Sequence, residues 1–182
     1  MSSLEKRAKL VLLPLLKCER ALITSEKQNV LSTWAAKTVM TAEYLSKDKG
    51  VVRQEERAHL KENLSQPTGW NVWIAPYGGQ NWRDLGLYQH VGDLDVPNLQ
   101  NGTIEKHYLE LTMLGLGKLL ILVMNSSWPR LWGRLPMMTA PGLNRIYPRG
   151  PSALAWPTSL IYSDFEADRL RNFFARVAQQ RV

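Results

Sequence analysis

The sequence contains a single cysteine, Cys18, and only three histidines among its 182 residues. One cysteine excludes an intramolecular disulfide, and with three widely spaced histidines it cannot complete a structural zinc site. We therefore expect no metal and no cofactor. The longest apolar run, Leu119 to Met124, is far shorter than the roughly 20 residues that cross a bilayer. Because the N-terminus also lacks a signal-peptide pattern, we expect a soluble, cytoplasmic protein without a membrane partner.

Sequence motifs of common enzyme classes are missing as well. The chain has no Gly-x-Ser-x-Gly nucleophile motif and no phosphate-binding loop. The Gly115-Leu116-Gly117 tripeptide lacks the third glycine and the following helix that a dinucleotide site needs. These absences favour a protein that is not an enzyme.

Two histidines nevertheless lie close to carboxylates in the sequence. His90 precedes Asp93 and Asp95, and His107 lies between Glu105 and Glu110. Because alternate residues of a strand share a face, Glu105 and His107 could meet as a general base and its partner. Exposed polar pairs of this kind are common on strands, so an enzyme that uses His107 and Glu105 is kept as an alternative hypothesis.

Acidic residues are absent between Glu110 and Asp164. Lys and Arg number 14 against 13 Asp and Glu in residues 1–110, 5 against 0 in residues 111–163, and 4 against 3 in residues 164–182. Most of the formal net charge of +7 therefore comes from residues 111–163, called here the basic segment. A positive stretch without local counter-charge suits a polyanion or an acidic protein surface.

The basic segment also carries several Trp and Tyr residues between its cations. Arginine matches phosphate with a planar fork, and tryptophan offers a face on which bases stack. This composition predicts binding of nucleic acid or of a nucleic-acid-bound host protein complex, with anion contacts and one stacking residue at Lys118, Arg130, Trp132, Arg134, Arg145 and Arg149. The alternative is that the aromatic side chains close a core while the arginine heads lie in water.

The periodicity of apolar residues predicts a single α+β domain in which N-terminal helices pack on an antiparallel sheet. Residues 1–66 are expected to be helical, with helices at 4–20, from a Ser25/Gln28 capping box onward, and at 53–64. Residues 67–162 are predicted to be β-rich, with strands at 70–77, 87–91, 106–114 and 118–125 and a loop at 92–102. The irregular segment 126–161 either contains short strands or lies along the surface with a functional role. A Ser163/Glu166 capping box predicts a C-terminal helix in 163–182.

Several short motifs occur together along the chain: Met1 to Glu5 with Leu12 to Leu16, Gln28 to Thr38 with Glu43, Gly69 to Ala75 with Tyr77, Gly117 to Leu120, Arg130 to Trp132, and Ala155 to Pro157. In this combination the chain resembles the region downstream of the nuclease module in HNH-endonuclease-like proteins of bacteria and phages. In that family the Cys/His metal motif precedes this region, and it has no counterpart here. No catalytic residue can therefore be transferred.

The resemblance implies a non-catalytic binding protein, encoded by a phage or another mobile element. Such a protein could block a host defence that targets nucleic acids, in the manner of an anti-CRISPR inhibitor. A different implication is an accessory DNA-binding subunit of a split HNH-type nuclease, whose metal module is encoded separately. Both implications are expectations from the resemblance, because no motif in the sequence specifies either.

Overall fold

The computed structural model describes residues 3–45, 52–98, 102–128, 131, 140–148 and 150–177, and it has the predicted α+β class. The elements are α1 Ser3–Leu16, β1 Ala21–Thr24, α2 Ser25–Ala42, a 3₁₀ turn Glu43–Leu45, α3 Gln54–Asn63, β2 Trp70–Pro76, β3 Gly86–Pro97, β4 Ile104–Leu116, β5 Leu119–Ser126, β6 Asn144–Tyr147, β7 Ala153–Trp156 and α4 Asp164–Val177. None of the described helices has both the length and the apolarity needed to cross a membrane.

The main sheet has five antiparallel strands in the order β3-β4-β5-β2-β6, and β1 pairs with β7 in a separate two-stranded sheet. Every residue of β2 and β5 is buried because both faces of the sheet are covered. Val72 and Ile74 join a first core with α1, α2 and Leu60 of α3, whereas Trp73 and Ala75 join a second core with α4. Alternate side chains of the strand predicted at 70–77 therefore pack into two different cores.

The start of α2 differs from the predicted capping box. Thr24 is the N-cap, and its hydroxyl accepts a hydrogen bond from the Lys27 backbone N–H at 3.5 Å. Gln28 is instead buried, and its amide donates to the carbonyl oxygens of Ile23 at 3.0 Å and Pro151 at 2.8 Å. The prediction of the helix is confirmed, but the Ser25/Gln28 box is wrong, because Gln28 connects α2 to the segment that precedes β7.

The sheet corrects one loop prediction. Residues 92–97, predicted as loop, continue β3, where Leu94 is fully buried opposite His107. The edge position of β3 accommodates Asp93 and Asp95 because one side of the strand meets solvent. Within the irregular segment 126–161, β6 and β7 are two short strands, so the alternative of hidden strands is confirmed, although neither has a clear alternating pattern. The predicted helix α4 is confirmed, and half of its capping box is present: the Ser163 backbone N–H donates to Glu166 Oε2 at 2.8 Å, whereas the Ser163 hydroxyl donates to the same carboxylate.

Three glutamates are buried between the N-terminal helices and the sheet: Glu43, Glu56 and Glu110. Glu43 pairs with Arg57 and accepts the Val52 backbone N–H at 3.0 Å. These contacts give the carboxylate partners that replace water, as a buried charge requires. Glu43 therefore connects the end of α2 to the start of α3.

The third glutamate, Glu110, has a different environment. Gln89 donates to its Oε1 at 2.5 Å, and Asn125 lies directly opposite on β5. Burial, reinforced by the negative charge of Glu43, raises the pKa of Glu110 to about 7, while the hydrogen bond from Gln89 and the nearby Asn125 amide partly oppose the shift. Glu110 is therefore held in a site that favours its protonated form.

Candidate functional site

The structure describes two of the six binding residues predicted from the basic segment, Lys118 and Arg145. Arg130, Trp132, Arg134 and Arg149 lie outside the described residues. Lys118 is exposed in the turn between β4 and β5, whereas Arg145 is half-buried on β6 opposite Trp73 of the second core. Lys118 and Arg145 lie on opposite sides of β2, two strand spacings apart, and are offset by about four residues along that strand. The two cations are therefore roughly 15 Å apart. They do not form one contact site.

The described aromatic residues of the basic segment mostly serve the cores. Trp156 is 2% exposed in the first core and Tyr162 is 3% exposed in the second. Tyr147 is half-buried, and its hydroxyl donates to the Gln66 carbonyl oxygen at 3.3 Å. For these three side chains the core-closing alternative is correct. Trp128 packs only partly against the second core.

Lys118 lies beside the C-terminal end of α1. Its backbone N–H donates to the Leu16 carbonyl oxygen at 2.9 Å. Gly117 makes this approach possible: its φ is +54°, and a Cβ there would lie 2.8 Å from the Leu16 oxygen. The turn therefore places the exposed Lys118 next to Lys17, which is also exposed.

The outward side of α1 carries cations and two exposed leucines. Leu10 is 76% exposed and Leu13 is 42% exposed, while Leu4, Ala8, Val11, Leu12 and Leu15 are buried beneath them. At 100° per residue, Lys6, Lys9, Leu10 and Leu13 fall within a stripe of about 100°, and the exposed Arg7 lies beside it. Lys17 continues the stripe one residue past the end of α1. We call this stripe the α1 face, and its members are Lys6, Lys9, Leu10, Leu13 and Lys17.

The α1 face has little local counter-charge. The acidic residue within α1 is Glu5, which pairs with Lys37 of α2. Glu26 of α2 lies 3.6 Å from Arg7, beside the stripe. Glu19 follows the helix and lies 3.7 Å from Lys17. Counting charged residues along the sequence does not reveal the α1 face, because the acidic residues of α3 and β3 offset its positive charge within residues 1–110. A helical projection of α1 alone would have found it.

A second group of polar side chains lies where β4 begins and β5 has ended. His107 Nε2 is 3.5 Å from Glu105 Oε2, and His107 Nδ1 is 3.2 Å from Ser127 Oγ. The His107 ring stacks on Trp128, with ring centroids 6.1 Å apart. The prediction that Glu105 and His107 could meet is confirmed. No sequence pattern indicated Ser127, which follows the end of β5.

The other two histidines have ordinary surroundings. His90 stacks on Tyr88 with centroids 6.4 Å apart, and His59 contacts Asn63 and Ser65 at 3.3 Å. Across the described part of the chain, no group of three or more His, Cys, Asp or Glu side chains is arranged to hold a metal ion.

The two surfaces lie at opposite ends of β5. Lys118 precedes the strand and Trp128 follows it, so ten residues of extended chain separate them by roughly 30 Å. No family model, curated protein or solved structure matches this chain. The resemblance to the HNH-associated region therefore stays a prediction, and functional proposals depend on these two surfaces.

Proposed function

We propose that this protein binds a polyanion, either nucleic acid or a nucleoprotein complex, and that the α1 face with Lys118 is part of its binding surface. The main support for this proposal is the contact between the β4–β5 turn and α1, because it places Lys118 beside the exposed lysines of the helix. Four ammonium groups on one surface favour phosphate contacts through charge, independently of base sequence.

The composition of the α1 face supports general backbone contacts rather than base readout. Lysine is a flexible point charge, whereas arginine provides the bidentate fork used for guanine. Leu10 and Leu13 add apolar contact area between the lysines. The surface therefore suits binding with little sequence preference, and affinity that falls steeply with salt.

Reversing two charges on the α1 face should weaken binding strongly. We expect Lys6→Glu with Lys9→Glu to reduce affinity for a labelled oligonucleotide by at least about 10-fold and to reduce the salt slope by about 2. Both side chains point outward, so the fold should be unchanged. Fluorescence anisotropy across a salt series measures both quantities, and circular dichroism checks the fold.

The matched control reverses two exposed cations on another helix. Arg169→Glu with Arg176→Glu makes the same change in net charge on α4, which packs on the opposite face of the sheet. Equal loss of affinity in both double variants would mean that net charge alone drives binding, and would contradict a role for the α1 face. A third double variant, Arg130→Glu with Arg134→Glu, extends the test to the basic segment, and we predict that it also loses binding.

Inhibition of a host defence and membership of a split nuclease also stay predictions. The partner that copurifies with the protein distinguishes these two hypotheses. An inhibitor should copurify with a host nucleoprotein complex, whereas a nuclease subunit should copurify with a Cys/His-rich HNH protein.

A further inference from the structure

We propose that Ser127, His107 and Glu105 form a hydrolytic site, in which Ser127 is the nucleophile toward carboxylic esters. The nucleophile and base are 3.2 Å apart, and the base and acid are 3.5 Å apart. A hydroxyl, an imidazole and a carboxylate in this sequence of contacts make the arrangement that activates serine in unrelated hydrolases.

The hydrogen bonds at Ser127 direct its proton toward His107. The Tyr108 backbone N–H donates to Ser127 Oγ at 3.1 Å, so that oxygen already accepts one hydrogen bond. The hydroxyl hydrogen is then available to His107 Nδ1. Ser127 is half-buried, so part of the residue reaches the surface.

The imidazole is oriented by its other nitrogen and by its ring face. Placing the ring proton on Nε2 lets His107 donate to Glu105 Oε2 and leaves Nδ1 as the acceptor that a base requires. Asn98 donates to the second carboxylate oxygen, Glu105 Oε1, at 2.6 Å. The four side chains therefore form a relay that runs from Ser127 through His107 and Glu105 to Asn98.

Exposure and neighbours define the substrate class. The His107 side chain is 18% exposed and that of Glu105 is 50% exposed, so the relay opens at the surface rather than in a deep cleft. Trp128 supplies a flat apolar wall beside the imidazole. A surface site of this kind suits small esters with an apolar or aromatic group and a good leaving group.

The chemistry balances without a cofactor. Ser127 Oγ attacks the ester carbonyl carbon and transfers its proton to His107 Nδ1, while Glu105 stabilises the imidazolium. Collapse of the tetrahedral intermediate breaks the carbon–oxygen bond to the alcohol, which leaves with the proton from Nδ1. Water then loses a proton to His107 and attacks the acyl carbon. The carboxylic acid departs, and the proton returns to Ser127 Oγ.

This activity goes beyond polyanion binding. It departs from the primary expectation of a chain without enzymatic activity, and it adds the nucleophile Ser127 to the alternative of an enzyme that uses His107 and Glu105. The primary expectation was based on the absence of known motifs. The relay is instead assembled from residues 98, 105, 107 and 127, which are brought together by the neighbouring strands β3, β4 and β5. The two surfaces are separate, so either proposal can fail alone.

The first test needs only the wild-type protein. A fluorophosphonate should form a covalent adduct on Ser127, which mass spectrometry of the digested protein locates. Ser65 is the internal control, because its hydroxyl lies 3.3 Å from His59 Nε2 but outside the relay. Adduct on Ser127 without adduct on Ser65 supports the site. The absence of adduct, or equal labelling of both serines, would overturn the proposal.

Variants test the division of roles. Hydrolysis of p-nitrophenyl acetate should fall about 100-fold or more in Ser127→Ala and His107→Ala, and about 10-fold in Glu105→Gln. Ser65→Ala should keep the wild-type rate. Thermal unfolding confirms that each variant is folded. An initial burst of p-nitrophenol is expected from the acyl intermediate, and unchanged turnover in folded Ser127→Ala would contradict its role as nucleophile.

Discussion

Replacing Glu110 by glutamine is expected to stabilise the fold at pH 8 by up to about 3 kcal/mol, which corresponds to the pKa difference between about 7 and the ordinary 4.5. Glutamine is nearly isosteric and carries no charge. It therefore removes the cost of burying an ionised carboxylate near Glu43 and keeps a side-chain oxygen that can accept from Gln89. The measurement is the free energy of unfolding from urea titrations across a pH series.

The sign of the pH dependence follows from the raised pKa of Glu110. The folded state holds the proton up to about pH 7, whereas the unfolded chain releases it near 4.5. The stabilising contribution is fully present below pH 4.5 and is lost as pH rises through 7. The wild type and Glu110→Gln should therefore have similar stabilities at low pH and diverge above pH 5.

An exposed glutamate provides the control for this prediction. Glu62 lies on the solvent side of α3, and Glu62→Gln should change stability by less than about 0.5 kcal/mol at every pH. If Glu110→Gln were instead destabilising at pH 8, the carboxylate would be ionised and favourably bonded in the fold, and the assignment of a raised pKa would be wrong.

Replacing Glu56 by alanine should destabilise the protein by about 3–5 kcal/mol, the cost of breaking a buried charged network. Glu56 Oε1 accepts from Trp70 Nε1 at 3.0 Å and from the Tyr108 hydroxyl at 3.3 Å, and Glu56 Oε2 accepts from the Arg53 backbone N–H at 2.9 Å. Alanine leaves these donors without their acceptor and removes the contact that connects α3 to β2 and β4.

The neighbouring Glu55 is the matched control because it is exposed in the first turn of the same helix. Glu55→Ala should cost less than about 1 kcal/mol through the helix dipole. Chemical unfolding followed by tryptophan fluorescence reports both variants, and Trp70 emission should shift in Glu56→Ala only. Equal effects of the two substitutions would show that the buried acceptor is unimportant.

Strong periodic signals allowed the fold class and most elements to be predicted. The stripes of α2 and α4 and the apolar strands β2, β4 and β5 follow directly from burial at fixed spacing. The short strands β1, β6 and β7 were not located because four residues give no reliable alternation. Their positions depend on partners far along the chain, such as the register of Ile23 with Leu154.

The candidate sites were less predictable than the fold. Glu105 and His107 lie two residues apart on one strand, so strand geometry alone predicted their meeting. Ser127 and Asn98 join them only through the pairing of β3, β4 and β5, which no local pattern encodes. Lys118 was identified from charge, but its neighbour Lys17 comes from a helix about 100 residues earlier in the sequence.

The binding proposal is tested most directly by titrating the wild-type protein against labelled single-stranded DNA, double-stranded DNA and RNA over a range of salt concentrations. We predict binding whose logarithmic affinity falls linearly with the logarithm of salt, with a slope of about −3 for four lysine contacts, since each contact contributes about −0.7 to −0.9. The absence of binding to all three at low salt, or affinity independent of salt, would contradict the proposal that the α1 face binds a polyanion.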